Sequence, residues 1–157
     1  MESREYINSK VSQLWSKLSL YQSYNNELFE LKRQYRECEQ KLLQIGSPKA
    51  IRYDKEVFSS GEDTSTLMNK VLSDMQRIEQ DISFAQAHMY EIETLCNLCD
   101  DEIQNVIKYK FFEYHSWDEC EKKFFKTRRS LIRDIKHNLE SFIHGVSEYS
   151  FCDTISA

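Results

Sequence analysis

Glycine and proline are scarce in this chain, with three and one among 157 residues. Because these two residues make most tight turns, their scarcity predicts a mostly helical protein with few breaks. Three glycines also cannot form a glycine-rich loop that cradles a phosphate group. The composition therefore predicts an all-α fold and gives no support to the common nucleotide-binding motifs.

Long apolar runs are missing as well. No stretch of about 20 apolar residues occurs, so we expect no membrane span. The first residues, Met1 to Glu5, are charged and lack the apolar run of a signal peptide. We therefore expect a cytoplasmic protein in which the five cysteines are reduced thiols rather than a disulfide framework.

Catalytic and metal-binding patterns are also lacking. The four histidines are scattered, and none has a cysteine or carboxylate partner at a recognisable motif spacing. Cys96 and Cys99 have the spacing of half a zinc site, but no second ligand pair accompanies them. Both fall on an apolar helix face, which predicts packing residues. We therefore predict no enzyme, no cofactor and no bound metal.

Helical periodicity is what the chain does have. From about Ser3 to Ile45, apolar residues recur at steps of three or four. Two consecutive three-residue steps, from Leu18 to Tyr21 to Tyr24, form a stammer that locally overwinds a coiled coil. This region predicts one long helix with an irregular point near its middle.

A second long helix follows a predicted loop at about residues 46–62. Asp63 or Thr64 is expected to cap it, and its apolar positions alternate at steps of three and four from Met68 to Cys99. Two such helices predict a long antiparallel hairpin over residues 1–98. The same apolar faces also allow a homodimer in which the long helices pair between two copies of the chain.

Three shorter helices are predicted over residues 99–145. The inward positions of the first, which supports the other two, are Ile103, Val106, Ile107 and Phe111. Phe112 and Tyr114 are expected to pack together with Phe111 against the other two helices. Ser116 and Glu119 are spaced as a capping box for the second, and Thr127 is placed to cap the third. Their apolar faces are Trp117, Cys120 and Phe124 on the second helix and Leu131, Ile135 and Leu139 on the third. This pattern predicts a helix-turn-helix, with Gly145 ending its last helix and residues 146–157 forming a tail.

Positive charge is concentrated at this predicted helix-turn-helix. The chain has a net charge of −5, whereas residues 122–136 carry seven basic side chains and one acidic one. An acidic protein with one basic face is typical of a DNA reader that also has a protein-binding half, although a charged face that binds nothing gives the same pattern. The predicted DNA-binding residues are Lys122, Lys123, Lys126, Arg128, Arg129, Ser130, Arg133 and Lys136.

The segments Val106–Cys120, Thr127–Leu131 and Asn138–Leu139 resemble a small family of prophage proteins from Gram-positive bacteria. These are similar to phage late-gene transcriptional activators of the autolysin-regulator type. Their C-terminal part resembles region four of sigma factors, which reads promoter DNA. The resemblance implies a sigma-region-four-like helix-turn-helix in a bacterial cytoplasm, with double-stranded DNA as the ligand and RNA polymerase as a further partner.

At three positions the chain departs from the family pattern, which usually has compact residues there. It has Glu121 within the first helix of the motif, Phe125 at the turn and Asn138 near the end of the second helix. Of the pair Phe124 and Phe125, one is expected to face inward and the other to be exposed. Glu121 and Phe125 therefore carry an alternative hypothesis. In it, the chain is a phage-encoded factor that binds a host protein such as polymerase, a sigma factor or a defence nuclease.

Overall fold

All regular elements among the residues that the structure describes are helices, which confirms the predicted all-α class. The computed structural model describes residues 3–46 and 63–156, and for residues 144–156 it describes the backbone alone. The helices are α1 (Arg4–Ser19), α2 (Tyr21–Gly46), α3 (Thr64–Asn97), α4 (Asp101–Ile107), α5 (Trp117–Phe124) and α6 (Arg128–Ser156), and a π-helical segment (Lys108–Phe112) continues α4. None of these helices is both long enough and apolar enough to cross a membrane. Apart from Gly46, the loop predicted at about residues 46–62 lies outside the described residues.

The first predicted helix is interrupted at Leu20. The irregular point predicted near the middle of this helix lies there, since α1 ends at Ser19 and α2 begins at Tyr21. The N–H of Leu20 donates to the carbonyls of both Ser16, at 3.2 Å, and Lys17, at 3.1 Å. This tighter hydrogen bonding falls inside the stammer, whose three-residue steps overwind the helix.

Contacts divide the chain into two compact units. One unit comprises Met1–Ser23 and Met89–Ala157, and the other comprises Tyr24–His88. Both α2 and α3 contribute residues to each unit. This division does not coincide with the predicted boundary between residues 98 and 99.

In the Tyr24–His88 unit, α2 packs against α3. Leu31, Cys38 and Ile78 are buried together, and four partly buried side chains pack against them: Tyr35, Val71, Met75 and Ile82. The Tyr35 hydroxyl donates to a Glu79 carboxylate oxygen at 2.8 Å, and this contact raises the pKa of Tyr35. All seven residues belong to the predicted apolar faces of the two long helices, so the periodicity identified this core correctly.

The other unit is built around α6. Its most deeply buried side chains are Leu18, Cys96, Ile107, Cys120, Leu131, Ile135 and Leu139. The helices α1, α4 and α5 all pack against α6. The predicted inward positions of α4 and the π-helical segment, Ile103, Val106, Ile107 and Phe111, are confirmed as buried. The packing of α1 on α6 was not predicted, and it places an N-terminal helix beside the basic segment.

Two further details differ from the predictions. Tyr114, expected to pack with Phe111 and Phe112, is 76% exposed and has a left-handed φ of 61°. The Phe112 ring instead stacks on Tyr21, with centroids 4.0 Å apart. Helical backbone also continues past Gly145 to Ser156. A single glycine costs a helix about 1 kcal/mol relative to alanine, which is not enough to end it.

Candidate nucleic-acid interface

The start of α5 is fixed by the predicted capping box, which is confirmed. The Glu119 N–H donates to the Ser116 hydroxyl at 3.2 Å, and the Ser116 N–H donates to the Glu119 carboxylate at 3.3 Å. The same carboxylate lies 2.6 Å from Nδ1 of His115. These hydrogen bonds, with His115 the strongest contributor, hold the pKa of Glu119 below its usual value.

The turn between α5 and α6 is made by Phe125. Its backbone is left-handed, with φ 55° and ψ 36°, and its N–H donates to the Glu121 carbonyl at 3.0 Å. A glycine would adopt this conformation without strain, whereas a bulky residue rarely does. The Phe125 side chain is 92% exposed, whereas Phe124 is half-buried, with its ring 5.7 Å from that of Tyr109. The prediction that one of the two phenylalanines would be exposed is confirmed.

Two side chains cap the start of α6. The Ser130 N–H donates to the Thr127 hydroxyl at 3.2 Å, which confirms the predicted cap. The Arg128 N–H donates to a Glu121 carboxylate oxygen at 2.6 Å. Negative charge at this position is stabilised by the positive end of the helix dipole. The sequence suggested Glu121 as a protein-binding residue, and its hydrogen bond across the turn was missed.

The face of α6 that points away from the core is basic. Leu131, Ile135 and Leu139 are at most 1% exposed and define the inward side. Arg129 and Arg133 lie one helical turn apart on the opposite side, and both are exposed. Both guanidinium groups are therefore accessible to a ligand that approaches α6 from solvent.

Three more of the predicted basic side chains lie over aromatic rings. These are Lys123 over Tyr109 at 4.2 Å, Arg128 over Trp117 at 5.8 Å and Lys136 over Trp15 at 5.8 Å, each measured to the ring centroid. Cation–π attraction at such exposed positions contributes about 0.5–1 kcal/mol. The rings restrict where the charges lie while leaving them in solvent, so this surface is partly organised before any ligand arrives.

The remaining predicted residues complete the surface. Lys122 is exposed, and Ser130 is half-buried. The Lys126 ammonium pairs with Asp134 at 3.3 Å, and the Nε of Arg133 lies 3.8 Å from the same carboxylate. Because Lys126 and Arg133 are exposed and Asp134 is only half-buried, these pairs contribute little to stability and separate easily when a stronger anion is present.

Trp15 and Arg4 are residues of this surface that the sequence did not predict. Trp15 stacks on Trp117 with centroids 6.2 Å apart, and it meets Phe111 edge-on at 5.3 Å. The Arg4 guanidinium lies 3.5 Å from the Glu140 carboxylate of α6. The sequence carries one signal for Trp15, because this residue widens the apolar stripe of its helix, as is typical of a helix with more than one neighbour.

The two cysteines of the Cys-x-x-Cys spacing are packed inside the protein. Cys96 is fully buried and Cys99 is 5% exposed. Burial raises the pKa of both thiols, that of Cys99 to about 12. Within residues 3–46 and 63–156, no three potential metal ligands come together as a site. Protonated, buried thiols pack as small apolar groups, as the sequence predicts.

Comparison of the chain with protein-family models, with curated proteins and with solved structures found no match. The interpretation of the basic surface therefore depends on its geometry and charge.

Proposed function

We propose that this chain binds double-stranded DNA through a helix-turn-helix formed by α5 and α6 and acts as a phage or prophage transcriptional regulator. The outward position of Arg129 and Arg133, opposite the buried Leu131, Ile135 and Leu139, carries the proposal. A helix with its side chains is about 10–12 Å wide, close to the width of the major groove. With α6 in that groove, its basic face points at base edges.

The basic side chains divide into two roles. Arg129, Ser130 and Arg133 are placed for base edges, since arginine pairs with guanine through two parallel hydrogen bonds. The residues assigned to backbone phosphates, which give affinity and orientation without sequence information, are Lys122, Lys123, Lys126, Arg128 and Lys136.

The long helices provide the protein-binding half of this proposal. Two contacts support an antiparallel hairpin within one chain: the Tyr24 ring stacks on His88, and the Tyr35 hydroxyl donates to Glu79. From Tyr24 to Tyr35 the residue number on α2 increases, while that of the partner on α3 decreases from His88 to Glu79, so the two helices run in opposite directions. Such a hairpin leaves the outer faces of α2 and α3 for RNA polymerase or for a second copy of the chain.

A salt titration of binding to duplex DNA tests the proposal. Affinity should fall steeply with salt, because each phosphate contact releases bound counterions. Lys122→Ala should weaken binding to all sequences alike and reduce the salt slope by about one. Arg133→Ala should cost about 1–3 kcal/mol at particular base pairs. Lys32→Ala removes the same charge from an exposed site on α2 and is the control.

Absence of binding to any duplex at low salt would end this proposal. Equal losses from Lys32→Ala and Arg133→Ala would show that net charge, rather than the α6 surface, determines binding.

A protein-binding factor is the second candidate, and the exposed Phe125 ring favours it. An exposed aromatic at a rigid turn is a typical anchor in a protein interface. Tyr114 supplies a matched control, because it is also aromatic, exposed and left-handed. Phe125→Gly should abolish capture of a host protein in nuclease-treated lysate, while Tyr114→Gly should not. If Phe125→Gly leaves capture intact, this candidate is excluded. The Glu121 carboxylate favours it less, because it already caps α6.

A further inference from the structure

A basic groove runs between α1 and α6. Its volume is about 450 Å³, and the residues that line it include four positive side chains, namely Arg4, Arg129, Arg133 and Lys136. Glu140 is the acidic side chain in this lining. Arg4 comes from the opposite end of the chain, and its side chain is 80% exposed. The groove therefore continues the basic face of α6 onto α1 and has the charge to hold an anion.

The width of DNA determines which part of it reaches this groove. Packed helices have axes about 8–10 Å apart, so α1 and α6 side by side are about 20 Å wide. The major groove is about 12 Å wide and accepts one helix. If α6 enters it, α1 must lie over the sugar–phosphate strand at the groove edge. The chemical group that meets Arg4 is then a phosphodiester.

We infer that α1 is a second wall of the DNA interface, with Arg4 contacting a backbone phosphate beside the groove that α6 occupies. This inference rests on the proposed function. In the free protein Arg4 pairs with Glu140 at 3.5 Å. The Glu140 side chain is half-buried, but that of Arg4 is 80% exposed, so the guanidinium can leave the pair at little cost. Exchange of the Glu140 carboxylate for a phosphate keeps the guanidinium paired, because arginine binds both groups through the same planar fork.

Four variants of Arg4 and Glu140 test the inference by fluorescence anisotropy with a labelled duplex over a range of salt. Arg4→Gln should weaken binding roughly ten-fold, equally for all sequences, and reduce the salt slope by about one. Arg4→Lys should keep the slope. Glu140→Gln should strengthen binding several-fold, because a carboxylate that repels phosphate is removed. In the Glu140→Gln background, Arg4→Gln should still weaken binding, which separates a lost phosphate contact from an uncovered carboxylate.

Lys17→Gln is the control, because it removes one exposed charge from the same helix outside the groove. Circular dichroism should show unchanged helix content in all variants. If the wild type binds duplex DNA and Arg4→Gln behaves like Lys17→Gln, the role of α1 is refuted while the proposed function stands. If the wild type binds no duplex at low salt, the proposed function fails, and this inference fails with it.

Discussion

Replacing Glu121 by alanine should destabilise α6 rather than remove a binding contact. The Glu121 carboxylate accepts the Arg128 N–H at 2.6 Å, and the Thr127 hydroxyl accepts the Ser130 N–H at 3.2 Å. Together they satisfy two of the N–H groups that the first turn of a helix leaves without partners. Loss of the Glu121 carboxylate therefore leaves the Arg128 N–H, at an exposed end of α6, with water as its partner in place of the cap.

The expected loss has two parts. Removal of a capping side chain costs about 0.5–2 kcal/mol. Loss of a negative charge at a helix N-terminus costs a further 0.3–1 kcal/mol, roughly, at low ionic strength. Glu121→Ala should therefore reduce the free energy of unfolding by about 1–3 kcal/mol, and each kcal/mol lowers Tm by about 2–4 °C. Glu121→Gln keeps a hydrogen-bond acceptor and loses only the charge, so it should cost about 0.3–1 kcal/mol.

Urea unfolding followed by far-ultraviolet circular dichroism measures both variants. The midpoint should shift while the slope with denaturant stays constant, since the surface exposed on unfolding is unchanged. Thr127→Ala is the reference, because it removes the other cap of the same helix. A Glu121→Ala protein as stable as wild type, in the presence of a destabilised Thr127→Ala protein, would refute the capping role. It would also return Glu121 to the protein-binding hypothesis.

Three more outcomes follow from burial and hydrogen bonding. Ile78→Asp should reduce the free energy of unfolding by more than about 3 kcal/mol, because Ile78 is 4% exposed and the aspartate would be buried. In the same urea measurement, Phe84→Asp is the control and should be nearly neutral, because Phe84 is 70% exposed. At about pH 8, Cys99 should react with iodoacetamide far more slowly in the native protein than in urea, since burial raises its pKa to about 12 and thiolate is the reactive form. Equal rates would contradict this. Folding lowers the pKa of Glu119, so the ionised carboxylate stabilises the folded protein. This stabilisation is fully present above the pKa of an unfolded glutamate, about 4.3, and is lost as the pH falls through the pKa of Glu119 in the folded protein. The wild type should therefore lose Tm more steeply than Glu119→Gln below about pH 4, and parallel profiles would refute this.

Local features of the fold were predictable from the sequence. The capping box at Ser116, the cap at Thr127 and the buried line from Leu131 to Leu139 were all predicted correctly. Each depends on interactions between residues three or four positions apart. Helix geometry fixes those spacings wherever the helix lies in the fold, so sequence alone reveals them.

Contacts between distant residues were not predictable in the same way. The stacking of Trp15 on Trp117 and the ion pair of Arg4 with Glu140 join residues from opposite ends of the chain. Periodicity identifies an apolar face but does not specify the helix that covers it. The sequence therefore predicted the basic residues of α6 and missed the contribution of α1 to the same surface.

The interruption at Leu20 lies between these two cases. The stammer was visible in the sequence, but a three-residue step is compatible either with an overwound continuous helix or with a break. Whether the helix continues or breaks depends on which core the residues before and after Leu20 pack into. Leu18 is fully buried in the unit that contains α6, whereas Leu31, further along, belongs to the other unit.

The two stacked tryptophans have a spectroscopic consequence. Trp15 and Trp117 are the only tryptophans of the chain, and both belong to the unit that contains α6. Intrinsic tryptophan fluorescence therefore monitors that unit alone, while circular dichroism also monitors the helices of the Tyr24–His88 unit. If the two signals change at different urea concentrations, the units unfold separately, and a single two-state free energy does not describe the protein. If they change together, α2 and α3, which pass through both units, transmit unfolding from one to the other.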